Sequence, residues 1–190
     1  MTALDGATCA LLPPGAYADP GWYGREQRDV FERTWNLVAY AGDLAGGAPV
    51  VAAIGGERVV VTRDDDGVVS AFRHGGRPRP AEVDHRSAED RVCAVGEWGG
   101  LVFAHLDPEA ATPFDAWLGA FPSAGWVGVF PWDDLVEIGR VSFPLACNWK
   151  LYVENHIDVY HLWFLHRESL GMFDHAGLTW STSGDRKSVV

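Results

Sequence analysis

The chain has 190 residues, 47% hydrophobic and 12% aromatic, with 15 basic against 26 acidic side chains and a formal net charge of −11. That length suits one domain, or one domain and part of a second, and the apolar fraction allows a sizeable core, which excludes disorder of the whole chain. The acidic balance repels phosphate backbones and anionic lipid, so neither a nucleic acid nor a membrane is expected as partner, while a cationic protein is compatible with it.

Residues 1–22 are rich in Gly, Pro and Ala and read as an extended arm. No Lys or Arg precedes the short apolar stretch within it, as a secretory signal would require, and no later run reaches the length of a membrane span. A cytoplasmic location is the expectation. Gly24 to Trp35 reads as a helix, with Val30, Phe31 and Trp35 on one side. Strands follow. Pro49–Ile54 and Arg58–Thr62 are joined across Gly55-Gly56, a hairpin signal, and Val68–Phe72 follows the turn Asp64-Asp65-Asp66-Gly67. Arg91–Val95 and Leu101–His105 are further strand candidates. Between these groups His74 to Asp90 reads as a long irregular loop. Pro113–Leu118 reads as a short helix and Leu135–Pro144 as strand-like. Asn148 to about Leu165 reads as the longest helix, and Gly177–Val190 as a polar tail without an element. Helix, many short strands, then helix is an α+β order.

The three cysteines, Cys9, Cys93 and Cys147, form no C-x-x-C or C-x-H pair, so neither a disulfide framework nor a local metal knuckle is expected. The chemistry concentrates in residues 148–166, which contain Asp158-x2-His161-x4-His166. At about 100° per residue, Asp158 and His161 share a helix face, whereas His166 lies roughly 140° from His161 on a straight helix. Both imidazoles reach one metal only if the helix ends, bends or bulges between them. Two imidazoles and a carboxylate on one side of a metal suit divalent iron with open positions. Leu162, Trp163, Phe164 and Leu165 are expected to make its surroundings dry. Zinc has no H-E-x-x-H motif to support it.

Asn148-Trp149-Lys150, then Glu154-Asn155, then Asp158-x2-His161-x4-His166 resembles the mononuclear iron motif of the Rieske-type aromatic-ring-hydroxylating oxygenases. Gly24–Ala41, with Glu32 and Trp35 before Asn36-Leu37-Val38, is similar to that family's leading helix and first strand. Gly56–Phe72 and Trp98–Pro108 are similar to the start and the closing strand of its Rieske domain. The resemblance implies an arm (1–22), an antiparallel β-rich Rieske-like domain with its leading helix (23–133), and the start of a helix-and-sheet catalytic domain cut short (134–190). It implies Fe(II) on His161 and His166, Asp158 as the bridge for electrons from a neighbouring subunit's cluster, and Asn155 beside the iron. It further implies a small apolar or aromatic substrate, a ring of three subunits, and a reductase or ferredoxin as electron donor.

Two departures stand against the family pattern. Its two-iron two-sulfur cluster is held by Cys-x-His and a later Cys-x2-His, but here Gly76 and Pro78 occupy the first pair and the second is missing, so the iron–sulfur cluster is expected to be absent. His74 and His85 are then expected in solvent. The third iron ligand, an Asp, and most of the covering sheet would follow residue 190. Glu154, Asp158 and Asp174 are local substitutes, though for Asp158 orienting a histidine is the alternative role. Four readings result: an iron enzyme; a half-subunit completed by a partner chain that carries the missing sheet; a metal-free cyclase or isomerase using His161, His166 or Tyr160 as acid or base; and an inactive, truncated relative.

Overall fold

The computed structural model describes residues 12–74, 91–110, 112–123, 125, 127–158, 161–170, 180–183 and 186–189. The architecture is α+β, as the element order indicates. The chain divides into two compact units, one of residues 23–141 and one of residues 1–22 with 142–190.

In the first unit, alternating and β-branched segments build two antiparallel sheets. One has the order β2 (Val50–Ile54), β3 (Glu57–Arg63), β4 (Val69–Arg73), β5 (Arg91–Val92); the other has β1 (Asn36–Tyr40), β7 (Leu101–His105), β6 (Ala94–Trp98). The Gly55-Gly56 turn sets Ile54 opposite Glu57, as the hairpin signal predicts. Gly99 (φ +57°) and Gly100 (φ +73°) make the other tight turn, setting Trp98 opposite Leu101; both positions demand the left-handed region that favours glycine. Val59 and Val61 of the central strand are fully buried. They join Val38, Leu44, Ile54, Ala71, Cys93, Val102 and Ala104 in one cluster drawn from both sheets. At roughly 1.5–3 kcal/mol per large apolar side chain, that burial dominates the stability of the unit.

Several expectations change here. The helix predicted over Gly24–Trp35 is α2, Pro20–Asp29, followed by a 3-10 turn at Phe31–Arg33. Pro20 pre-sets the first turn, so the helix starts earlier. Trp35 leaves the helix pattern because its indole Nε1 donates to the Thr112 carbonyl at 2.9 Å and its ring packs on Phe114 and His105. The strand predicted over Arg91–Val95 is two strands in different sheets. The chain crosses at buried Cys93, whose N–H donates to the Ala71 carbonyl at 2.9 Å. The helix at Pro113–Leu118 is α3, Phe114–Leu118, and its Phe114 ring packs against Gly96. The strand-like Leu135–Pro144 forms no strand among the described residues. His74, expected in solvent, is half-buried, and its N–H donates to the Arg58 carbonyl at 2.9 Å. The rest of the expected loop, residues 75–90 with His85, lies outside the described residues.

The second unit carries α1 (Gly15–Ala18), α4 (Trp149–Ile157), α5 (Leu162–Leu165), α6 (Arg167–Leu170) and the hairpin β8 (Trp180–Ser183) with β9 (Arg186–Val189). The hairpin corrects the expectation of a tail without an element. The single long helix expected over 148–165 is also corrected, because α4 ends at Asp158 and a separate turn follows.

Candidate metal centre

The site begins at a helix start. Asn148 has extended backbone, and its side-chain oxygen accepts the Lys150 N–H at 3.1 Å, the N-cap that Asn provides well. α4 then runs nine residues, to Ile157. Across its face Tyr17 of α1 donates its hydroxyl to Glu154 Oε1 at 2.6 Å. This bond raises the Tyr17 pKa, with desolvation and the Glu154 charge acting the same way. Lys150, only 6% exposed, holds its ammonium 5.5 Å from the Tyr17 ring and 5.2 Å from the Trp149 ring. Sequence reasoning missed the Tyr17 clasp because its partners stand 137 positions apart and no local pattern links them.

The end of α4 matters most. Asp158 is its C-cap, with φ −80° and ψ 104°, and its N–H still donates to the Glu154 carbonyl at 2.9 Å. His161 is the N-cap of the one-turn helix α5 and His166 its C-cap, so the two histidines bracket that turn. The helix end therefore lies before His161, outside the His161–His166 interval in which the spacing required a break, and the two histidines stand at the two ends of one intact turn. The rings of His161 and His166 stand 5.4 Å apart between centroids, with planes 72° apart. Two imidazoles bound to one metal at about 2.1 Å per nitrogen have centroids about 5 Å apart, so the separation of this pair is compatible with a shared ion.

Asp158 Oδ2 lies 3.4 Å from His161 Nδ1. The angles do not make this a hydrogen bond, and His161 Nδ1 is a buried nitrogen without a hydrogen-bond partner. A buried imidazole nitrogen with its hydrogen bond unmade is a costly arrangement that proton or metal binding relieves. Asn155 is exposed on α4. His156, between the motif residues, is turned away: its Nδ1–H donates to the Tyr152 carbonyl at 2.8 Å. The dry wall expected from residues 162–165 is not formed by Phe164 and Leu165, which are 68% and 76% exposed. A single turn of helix cannot bury both flanks of its own surface. Tyr160 and Asp174 lie outside the described residues, as does the side chain of Trp163.

Among the described residues no group of three His, Cys, Asp or Glu side chains is gathered at one point. Among the described residues, then, His161 and His166 are two imidazoles that could hold a metal ion, with no third such group gathered beside them. Burial pushes the Cys93 thiol up to about 11, against the lowering effect of Arg73. A surface cleft of about 720 Å³, lined by Arg28, Glu32, Arg73 and Asp107 among others, belongs to the 23–141 unit and contains none of the motif residues. No helix among the described residues is long and apolar enough to cross a membrane.

The fold is shared with Rieske oxygenases. A quaternary ammonium Rieske monooxygenase solved with L-carnitine superposes with a TM-score of 0.70 at 20% identity, over 90% of this chain and 59% of the other. In sequence, residues 132–188 match the model of the ring-hydroxylating alpha subunit catalytic domain. The chain is 26% identical to the anthranilate 1,2-dioxygenase large subunit of Burkholderia cepacia, over 82% of this chain and 47% of the relative. It is 24% identical to the chloroplastic choline monooxygenase of Beta vulgaris, over 95% of this chain and 50% of the relative. Family model, relatives and fold together support membership of the Rieske-type oxygenase alpha subunit family. The chain spans about half the length of the curated relatives it matches.

Proposed function

We propose that this chain carries two of the ligands of a mononuclear non-heme iron centre and serves an oxygenase reaction on a small organic molecule. The observation that carries the reading is the His161–His166 pair, 5.4 Å between ring centroids, with a buried His161 nitrogen lacking a hydrogen bond. Iron, when bound, supplies open positions for oxygen and substrate. His161 and His166 hold it. Asp158, whose Oδ2 lies 3.4 Å from His161 Nδ1, places a carboxylate beside the pair. Asn155, one turn before the α4 C-cap, is assigned a place near the iron by the family resemblance. The third ligand is the Asp that the same resemblance sets further along than residue 190.

The iron–sulfur cluster is not part of this reading. A Rieske centre needs two thiolates and two imidazoles, and the cysteines here stand at 9, 93 and 147. Cys93 lies buried in the apolar core cluster between the two sheets, with no imidazole among its cluster neighbours. Electrons then reach Asp158 from another subunit or a donor protein, in an assembly of which the family's ring of three is the precedent. The division into arm, Rieske-like domain and catalytic segment belongs to this proposal, as does a cytoplasmic location. The substrate expected from the resemblance is aromatic, and the anthranilate dioxygenase supports that class; the carnitine- and choline-directed relatives extend it to quaternary ammonium compounds.

A second observation favours the half-subunit form of the same reading. In the catalytic segment Leu151, Tyr152, Val153 and Ile157 of α4, and Phe164 and Leu165 of α5, are each at least 40% exposed. Such a surface asks for cover from polypeptide beyond these residues. The decisive experiment is titration of the apo-protein with Co(II), followed by its visible absorption, beside iron analysis after anaerobic loading with Fe(II). One metal per chain, lost in both His161→Ala and His166→Ala with the circular dichroism spectrum unchanged, is expected. No metal above background in the unsubstituted chain ends the reading.

A further inference from the structure

Tyr17 of α1 reaches α4 at two points one turn apart. Its hydroxyl donates to Glu154 Oε1 at 2.6 Å, and its ring lies 5.5 Å from the ammonium of Lys150. Residues at i and i+4 stand one above the other on a helix, so Lys150 and Glu154 form one seat for the tyrosine. Lys150 is only 6% exposed although it is a lysine, and the rings of Tyr17 and Trp149 both face its ammonium. Tyr17 and α4 belong to the same compact unit, so the seat is internal to that unit.

Glu154 serves a second time through its backbone. Its carbonyl accepts the Asp158 N–H at 2.9 Å, the bond that closes α4 where the chain turns to φ −80° and ψ 104°. Asp158 Oδ2 lies 3.4 Å from His161 Nδ1, and the His161 ring stands 5.4 Å from that of His166. A helix of nine residues is marginal in water by itself, and its ends fray unless a tertiary contact holds them. Here the contact falls on Glu154, the residue whose carbonyl ends the helix. A ligand role for the Glu154 carboxylate competes with this arrangement. Its Oε1 is engaged by the Tyr17 hydroxyl, and among the described residues Glu154 joins no group of three metal-binding side chains.

We infer that Tyr17 is a positioning residue for the His161–His166 pair, acting through Glu154 to hold the end of α4. The hydroxyl fixes where the backbone leaves the helix, and the two imidazoles follow within a few residues of that point. This role rests on the metal reading above, so one arm of its experiment needs no metal.

Three variants separate the hydrogen bond from the side chains that make it. Tyr17→Phe removes the hydroxyl and keeps the ring beside Lys150. Glu154→Leu removes the acceptor, while Glu154→Gln keeps an oxygen for the hydroxyl. In Co(II) titrations, at a temperature where circular dichroism shows every variant folded, Tyr17→Phe and Glu154→Leu should each bind about 5-fold more weakly than the unsubstituted chain, the scale of one hydrogen bond. Glu154→Gln should stay within about 2-fold, since it loses only a charge that salt screens. In the metal-free chain the imidazole nitrogen resonances of His161 and His166 should move in Tyr17→Phe, while those of His105, in the other unit, stay in place. Resonances that move in a chain that binds no Co(II) uphold the positioning role and end the metal reading alone. Unmoved resonances, or a Co(II) affinity that Tyr17→Phe leaves unchanged, overturn the inference even if that variant unfolds more easily, because the bond is then structural only. Tighter Co(II) binding by Tyr17→Phe overturns it as well, since a released Glu154 would then be acting as a ligand.

Discussion

Cys93 shows how one side chain reports the state of its surroundings. Burial raises its pKa from 9.0 to about 11, and Arg73 opposes the shift without cancelling it. Its folded pKa lies above its unfolded one, so the stability it contributes is complete below pH 9 and is lost as pH rises towards 11. The loss is of order 2 to 3 kcal/mol for two pH units, expected as a fall in unfolding free energy between pH 9 and 11 that Cys93→Ser abolishes. A thiol reagent should label Cys147, which is exposed, well before Cys93. The motif residues teach the complementary point. Spacing alone predicted that His161 and His166 cannot share a metal on a straight helix, and Asp158 leaves the helical conformation as the C-cap of α4. The identity and order of these motif residues were legible in the sequence. The Tyr17–Glu154 bond was not, because tertiary contact between distant positions leaves no local pattern.

Helix and strand boundaries follow the residues at their ends. Asn148 is the cap that starts α4, and Asn148→Ala should cost about 1 kcal/mol, read by chemical unfolding, and leave the unfolding cooperative. Gly96 is a packing position. A Cβ built there meets the Phe114 ring at 2.3 Å, so Gly96→Ala must push α3 away from β6. That change should lower stability by about 1–3 kcal/mol, or roughly 3–10 °C in the thermal midpoint. The hairpin across Gly55-Gly56 and strand β7 were readable because turn chemistry and alternation are local. The split of residues 91–95 between two sheets was not, because both halves have the same pattern and only the burial of Cys93 separates them.

Across the two units, apolar exposure is uneven. In residues 23–141 the valines of β3 and β7 are buried in one cluster, while in the other unit Ile157, Phe164 and Leu165 remain open to water. The chain should therefore bind an environment-sensitive apolar dye while folded, and Phe164→Ser with Leu165→Ser should reduce that fluorescence at unchanged circular dichroism. Equal dye binding by the double variant would place the open surface elsewhere.

Taken alone, the sequence determined the α+β order, the hairpin across Gly55-Gly56, the acidic balance and the Asp158, His161 and His166 motif. Each of these is written in composition, local periodicity or spacing, which do not depend on what lies across the fold. Only the tertiary structure decided that α4 stops at Asp158, that the His161 and His166 rings come to 5.4 Å, that Leu135–Pro144 forms no strand among the described residues, and that Phe164 and Leu165 face solvent. The physical reason is the same in every case. A strand without a partner and an apolar face without cover are settled by what packs against them, and no stretch of sequence carries that about itself.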